Sequence, residues 1–386
     1  MFTNFVKSAR QPTKEIINQI KTTLLNSKWH LEDESLSSFK AKQLFVTIQS
    51  VLDRPQITSE QHSGSGSTPP TSTTSESSTI PSATSNATTP LPITTIPNFN
   101  KPNPLPPGYS LLYCNPLSHE FELSRDGYDN YHAPTFQLTD YFKRRMWLSG
   151  EFQFNVENKL KFGDSIEFQE TVDRVRFLGF SVGGRNNKEG MGQEDGKGNK
   201  GDDDGMIICN YRRQFNNQNG PSLTELRSFG YLNSIYQTPS KASLSSSQQK
   251  DKFTSLNPDH SKPIKPSKIS NLRMSMLTFN THQIHYDLKY STEVENYPAV
   301  VLQAPLLIQL ILSFWNQNSG IGSDMSCGIE KFKYSICSPC FVDDLLSLNF
   351  KRVDEDEGTG KKMFMVWIRN LTRGDVLSLH GTVYLA

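Results

Sequence analysis

The most restrictive feature of the sequence is an apolar segment at residues 304–315, APLLIQLILSFW. A helix that is apolar on every side is stable only when it is buried. Pro305 suits the first turn of a helix and Gly320 lies beyond its end, which is the usual order at helix boundaries. The sequence therefore predicts a long buried helix around which the chain is organised.

A cluster of polar residues lies in the sequence before this predicted helix. Apolar and polar side chains alternate over residues 272–276, which predicts a strand. Four polar residues then follow within a short stretch: Asn280, His282, His285 and Asp287. The polar cluster is thus placed between a predicted strand and the predicted buried helix.

The runs LTFNTHQIHYD and YPAVVLQAPL resemble the signature of the hotdog-fold, MaoC-like 3-hydroxyacyl-thioester dehydratases and (R)-specific enoyl hydratases. Within that family they are similar to the fungal mitochondrial type 2 dehydratases and to mesaconyl-CoA hydratase. The resemblance implies an α+β double hotdog, in which an antiparallel sheet wraps around long central helices. It also implies a catalytic pair beside a tunnel for an acyl chain.

Composition sets limits on the class of protein. A chain of 386 residues is long enough for two domains. The 40 basic and 39 acidic residues nearly cancel, so no electrostatic footprint for nucleic acid is expected. No apolar run has the length of a membrane span. Only five cysteines are present, which favours a reducing compartment over a secreted disulfide framework.

The N-terminal part of the chain divides into three predicted segments. Residues 1–30 are basic before the first acid, Glu15, and indicate a mitochondrial transit segment, the alternative being a frayed basic terminus. Residues 31–56 contain apolar positions at helical spacing. Residues 57–105 are rich in Ser, Thr and Pro and predict a disordered linker.

Two hotdog domains are predicted for the remainder. The first, 106–236, has a degenerate site and a flexible glycine-rich insertion at 183–205. A polar linker at 237–268 leads to the catalytic domain, 269–386. Strand patterns occur near 151–155, 164–175 and 206–213 in the first domain, and near 331–336, 344–352, 361–370 and 375–385 in the second.

Two further motifs have alternative interpretations. Arg144 and Arg145 suit the phosphates of coenzyme A or of an acyl-carrier pantetheine, but a solvated or salt-bridged pair is favoured. Cys337 and Cys340 form a CxxC motif between two predicted strands. A redox pair would open a helix and a zinc site would need two more ligands, so structural loop cysteines are favoured.

The resemblance also assigns the chemistry. His285 corresponds to the base that exchanges a proton with carbon 2 of the acyl chain, and the ordinary pKa of histidine suits this role. Asn280 stands where (R)-hydratases have an aspartate, and its amide orients water or the substrate hydroxyl. His282 either shares the proton transfer or holds the loop, and the second role is favoured.

The substrate carbonyl is assigned to the start of the buried helix. The family has an HGP turn there, whose glycine amide donates to the developing enolate oxygen. This chain has Gln303 and Ala304 before Pro305. Gln303 and Ala304 are therefore the predicted substrate-binding residues, and the Ala304 methyl narrows the approach to the amide.

The resulting expectation is a (3R)-3-hydroxyacyl-thioester dehydratase of mitochondrial fatty-acid synthesis, located in the matrix and free of metal or redox cofactors. Acyl carrier protein or coenzyme A carries the substrate, and the protein is a monomer or a homodimer. Two alternatives remain: a hydratase for a short branched or dicarboxylic acyl-CoA, and a non-catalytic hotdog protein that binds acyl thioesters.

Overall fold

The computed structural model describes residues 12–33, 35–53, 96–99, 103–137, 139–179, 205–239, 252–321, 328–353 and 362–386. It contains four α-helices in these ranges: α1 Lys14–Asn26, α2 Ser38–Leu52, α3 Lys268–Thr278 and α4 Ala304–Asn318. Thr13, Ser37 and Ser267 cap the first three helices through side-chain oxygens, as such residues commonly do. The predicted linker 57–105 and the predicted insertion 183–205 lie almost entirely outside the described residues.

Twelve strands occur in the same ranges. They are β1 Lys28–Asp33, β2 Thr135–Phe136, β3 Thr139–Asp140, β4 Arg144–Phe154, β5 Ile166–Leu178, β6 Met206–Asn217, β7 Gly220–Leu232, β8 His260–Ile264, β9 Ile329–Ile336, β10 Leu346–Val353, β11 Met363–Asn370 and β12 Val376–Leu385. Strands β2 and β3 form a small hairpin, and the other ten form one antiparallel sheet.

The large sheet consists of two halves with the same strand order. The strand order is β1-β5-β6-β7-β4 in the first half and β9-β12-β11-β10-β8 in the second. Counted outward from the junction between the halves, β4, β7, β6, β5 and β1 correspond to β9, β12, β11, β10 and β8. The halves join where β4 pairs with β9, with Gly150 opposite Tyr334. This arrangement confirms the predicted α+β double hotdog.

Helix α4 lies at the centre of the core. Leu306, Ile308 and Leu310 are fully buried, and Pro305 occupies its first turn. Strands β10 and β11 cover it, and the Trp315 ring packs edge-on against Phe364 with ring centroids 5.4 Å apart. The prediction of a central buried helix is confirmed.

The strand predicted at residues 272–276 is wrong, because this segment belongs to helix α3. Leu272 and Met276, expected on a buried face, are 42% and 73% exposed. The buried positions of the helix recur at helical spacing instead, and they include Asn271, Met274 and Ser275. A five-residue alternation is too short to separate the two periods.

Several predicted domain boundaries also change. Ile17, Ile20 and Leu24 of α1 are buried against the sheet, so residues 14–30 are part of the fold and only 1–11 lie outside the described residues. Strand β1 pairs with β5, and α2 packs against α3. Residues 28–52 therefore supply the edge strand and a helix of the first hotdog half, in place of a separate helical segment 31–56.

The linker predicted at 237–268 is shorter than expected. Strand β8 lies within it and pairs with β10, with Ile264 opposite Leu346. Phe253 is buried and contacts Trp367. The second hotdog half thus begins before residue 269. Strand β7, which was not predicted, lies between β6 and β4 in the first half.

Candidate active site

A cavity of about 730 Å³ lies between the two hotdog halves. The first half contributes β4, β7 and the segment after β7, and the second contributes the end of α3, the start of α4 and the 337–340 loop. Four of the predicted site residues line it: Asn280, His282, His285 and Ala304. Its volume is in the range of ligand pockets, so an acyl chain has room to enter.

His285 is held in one orientation at the wall of this cavity. It ends a short 3-10 turn, Gln283–His285, and only 9% of the residue is exposed. Its Nδ1 lies 2.9 Å from the carbonyl oxygen of Val301. A carbonyl oxygen only accepts, so Nδ1 carries the proton and Nε2 keeps a free lone pair.

The surroundings keep the His285 ring neutral. Burial lowers the pKa of His285 to about 3, and the neighbouring His282 contributes in the same direction. The rings of the two histidines are nearly perpendicular, with centroids 5.3 Å apart. A neutral imidazole with a free lone pair is the form required of a general base.

Asn271, for which no role was predicted, fixes the backbone around His285. Its side-chain amide donates to the carbonyl oxygens of His285 (2.8 Å) and Val301 (3.0 Å). Its Oδ1 accepts the backbone N–H of Gln303 at 2.9 Å. A fully buried asparagine on α3 thus joins the His285 backbone to the start of α4. Once the segment is known to be helical, a polar residue on its buried face is the signal for this role.

Asn280 follows the end of α3, where Phe279 adopts a left-handed conformation with φ of 54°. Its Oδ1 accepts the backbone N–H of His282 at 3.0 Å. The amide nitrogen Nδ2 is left as the donor available to the cavity, which Asn280 lines while half-buried. This geometry suits a group that orients a hydroxyl or a water molecule.

Gln303 and Ala304 have different positions relative to the cavity. The Gln303 side chain is fully buried and donates to the hydroxyl of Ser275, so it does not line the cavity as predicted. Its role is to hold α4 against α3. Ala304 does line the cavity and is the first residue of α4, where backbone N–H groups lack acceptors within the helix. Of the predicted pair, only Ala304 lines the cavity.

The adjacent arginines Arg144 and Arg145 both line the cavity but have different partners. Arg145 is 3% exposed and binds Asp126 through two nitrogens, at 2.7 and 3.2 Å, so the salt-bridged interpretation describes it. Arg144 is half-buried at the cavity and donates to the backbone oxygen of Ser234 and to the Tyr297 hydroxyl. No role was predicted for Asp126, which begins the sequence DGYD at residues 126–129.

The CxxC cysteines lie on the loop between β9 and β10 and both line the cavity. Burial raises the pKa of the Cys340 thiol to about 12, so it is not a thiolate at neutral pH. In the described part of the chain, no cluster of three or more His, Cys, Asp or Glu side chains has the arrangement of a metal site. Among the described helices, none is both long and apolar enough to cross a membrane.

Comparison with known families identifies the activity of the chain. The model of the hydroxyacyl-thioester dehydratase type 2 family matches residues 108–342. The chain belongs to this family. It is therefore a 3-hydroxyacyl-thioester dehydratase, which is a hydro-lyase. The matched region contains every residue that lines the cavity except Val376 of β12.

Individual relatives agree with the family assignment. The chain is 28% identical over 260 residues to the mitochondrial hydroxyacyl-thioester dehydratase type 2 of Schizosaccharomyces pombe, covering 67% of this chain and 81% of the relative. It is 48% identical over 40 residues to mesaconyl-C(4)-CoA hydratase of Chloroflexus aurantiacus, covering 10% and 14% of the two chains.

Solved structures with a similar chain trace include the following two. A MaoC-like dehydratase from Phytophthora capsici has a TM-score of 0.42 and 14% identity, covering 67% of this chain and 78% of its own. HtdX of Mycobacterium tuberculosis has a TM-score of 0.45 and 9% identity, covering 92% and 99%.

Proposed function

We propose that this dehydratase acts on (3R)-3-hydroxyacyl thioesters, with His285 as the base, Asn280 orienting the 3-hydroxyl and the Ala304 amide stabilising the enolate. The observation that carries the proposal is the neutral, oriented His285 ring at the wall of a cavity that also receives the start of α4. The group that removes the proton, His285, and the group that stabilises the negative charge, the Ala304 amide, then lie at the same cavity.

The geometry supports the following sequence of events. The free lone pair of His285 Nε2 removes a proton from carbon 2 of the bound thioester. Negative charge develops on the thioester oxygen, which the Ala304 N–H and the positive end of the α4 dipole stabilise. The 3-hydroxyl, held by the Asn280 amide, leaves as the double bond forms. Hydration of the enoyl product follows the same path in reverse.

We further propose that the reaction belongs to mitochondrial fatty-acid synthesis and that acyl carrier protein presents the substrate in the matrix. The name of the S. pombe relative, which specifies mitochondria, supports the compartment. The basic residues Lys7 and Arg10 near the N-terminus agree with it. A fluorescent fusion of the full chain should localise to mitochondria, and a fusion that starts at residue 12 should not.

Carrier preference is measured with matched thioesters. We expect kcat/KM for a (3R)-hydroxyacyl carrier protein to exceed that for the coenzyme A thioester of the same acyl group by tenfold or more, because a docked protein adds binding contacts outside the cavity. The panel should include mesaconyl-C4-CoA, given the 40-residue match. Equal values for both carriers, or a preference for the C4 dicarboxylate, would count against the carrier-protein assignment.

The proposed role of the Ala304 amide gives a prediction of its own. Proline fits the first position of a helix, so Ala304→Pro removes the N–H donor while preserving α4. We expect kcat to fall roughly 10²-fold, the lower end of the usual cost of removing one oxyanion donor. Ala304→Ser keeps the N–H and is the control for added bulk. Equal losses in the two variants would show that volume, and not the amide, controls this position.

A further inference from the structure

The ring of His282 lies in an environment that loop support alone does not require. Only 4% of the residue is exposed, yet it lines the active-site cavity. Its Nε2 lies 3.6 Å from Asp126 Oδ2 and 3.6 Å from Glu295 Oε1. One carboxylate comes from the first hotdog half and the other from the second, so the two halves meet at this histidine.

Around His282, two acidic side chains, Asp126 and Glu295, are accompanied by one arginine, Arg145. Arg145 forms a two-point ion pair with Asp126 and compensates one negative charge. Glu295 is 1% exposed; its Oε1 accepts the Tyr290 hydroxyl at 3.2 Å, and its Oε2 has no hydrogen-bond partner in the described parts of the chain. A buried carboxylate without a cation is costly. His282, whose Nε2 lies 3.6 Å from Glu295 Oε1, is positioned to carry the compensating positive charge.

The remaining neighbours leave this role to His282. The Tyr128 ring lies 5.9 Å from its ring and also covers the Arg145 guanidinium. Burial is the main cause that raises the pKa of Tyr128 to about 12, and burial also raises the pKa of Tyr290 well above its ordinary value. Neither phenol is an acid at neutral pH. His285, perpendicular to His282, is already assigned as the base.

The reaction itself needs an acid for the departing hydroxyl. Hydroxide is a poor leaving group, and Asn280 cannot give it a proton because an amide does not exchange one. We propose that His282 is the general acid that protonates the departing 3-hydroxyl, with Asp126 and Glu295 holding the charge of its ring. The inference rests on the proposed function, since it divides the same reaction between two histidines.

The step balances as follows. The C2–H bond breaks and its proton goes to Nε2 of His285, while the electron pair forms the C2–C3 double bond. The C3–O bond breaks with its electron pair on oxygen, and that oxygen takes a proton from His282. Because Nε2 of His282 faces the carboxylates, Nδ1 is the donor to the cavity. Water leaves, and transfer of the proton from His285 to His282 restores the starting state. The pair of histidines therefore holds one proton before and after each turnover.

A change of leaving group tests this assignment. His282→Gln keeps an amide donor near the two carboxylates and removes the proton carrier. Against (3R)-3-hydroxybutyryl thioester we expect a loss of at least about 10²-fold in kcat, within the usual effect of a general acid. Elimination of chloride from 3-chlorobutyryl-CoA needs no acid and should stay within about threefold of the wild-type rate, since His285 still acts as the base.

The outcomes separate three situations. Equal losses with both substrates would overturn the acid role and indicate that His282 supports the loop. Unchanged dehydration would overturn it as well. No dehydration by the wild-type protein would refute the proposed function, whatever the variant does. His132→Gln is the matched control, because His132 is also buried against a carboxylate, at 2.7 Å from Glu170, but does not line the cavity.

A second variant tests the carboxylates without removing the histidine. Glu295→Gln leaves Arg145 paired with Asp126 and withdraws one negative charge from the His282 ring. We expect the alkaline limb of the kcat/KM profile for dehydration to move to lower pH, because the protonated acid loses a stabilising partner. An unmoved limb with normal folding would overturn the part assigned to Glu295.

Discussion

Replacement of His285 with asparagine is expected to lower kcat for dehydration roughly 10²–10⁴-fold, the range that a positioned general base contributes. The asparagine amide can donate to the Val301 oxygen that now accepts from Nδ1, so the loop should keep its conformation. The variant loses only the lone pair that faces the cavity. Initial rates with a (3R)-hydroxyacyl thioester, together with thermal unfolding, measure both properties.

The control is a histidine that has no contact with the cavity. His30→Asn changes a half-exposed side chain on β1 and should leave kcat within twofold. Chloride elimination from 3-chlorobutyryl-CoA should be lost in His285→Asn along with dehydration, because both reactions need the base. Retention of either reaction at the wild-type rate would remove His285 from the mechanism.

The lowered pKa of His285 also predicts how stability depends on pH. In the unfolded chain its pKa is near the usual value of about 6.5, whereas burial lowers the folded value to about 3. The unfolded state therefore binds an additional proton below about pH 6.5, and folding stability falls as pH decreases from there towards about 3. His285→Asn removes this contribution, so its free energy of unfolding should decrease less between pH 7 and pH 4 than that of the wild type.

The parts of the molecule that the sequence predicted share one property: the information is local. Helix α4 is apolar on all sides over consecutive residues, and strands β9 to β12 have clear patterns within short windows. The predicted residues that line the cavity, Asn280, His282, His285 and Ala304, are also close to one another in the chain. A resemblance over a continuous run is sufficient to find them.

The features that could not be predicted from the sequence depend on contacts between residues that are distant in the chain. Asp126 and Glu295 are far apart in the chain, and only the fold brings both to 3.6 Å from His282. Asn271 could not be assigned while its segment was predicted to be a strand, because the buried face of a helix differs from that of a strand. Strand β1 lies before a long polar segment, and its place at the sheet edge follows only from its pairing with β5.

The first hotdog half contains a buried ion network that no local pattern revealed. Glu170 accepts from the Tyr131 hydroxyl at 2.6 Å and lies 2.9 Å from Arg213 Nε. Burial by itself raises the pKa of Glu170, but His132 and Arg213 outweigh burial and lower the pKa to about 2. The unfolded value is about 4.3. This carboxylate therefore contributes stability above the unfolded value, and the contribution is lost as pH falls towards about 2.

Glu225→Gln should have the largest effect on stability in this network. The Glu225 side chain is fully buried and binds Arg213 at 2.8 Å and Arg227 at 2.5 and 3.0 Å. Removal of its charge leaves Arg227 without its carboxylate and Arg213 with Glu170 alone, which should lower the free energy of unfolding by about 3–5 kcal/mol. Urea denaturation measures the change.

The exposed ion pair of the same half is the matched control for Glu225→Gln. Arg212 lies 2.8 Å from Asp173, and both side chains are more than a third exposed. Asp173→Asn should therefore cost less than about 1 kcal/mol, because solvent screens the pair and replaces it when it is broken. Since both variants replace one carboxylate by its amide beside an arginine, the difference between them isolates burial. Equal costs would mean that Glu170 alone satisfies Arg213, and that the network is held together by Arg213 and not by Glu225.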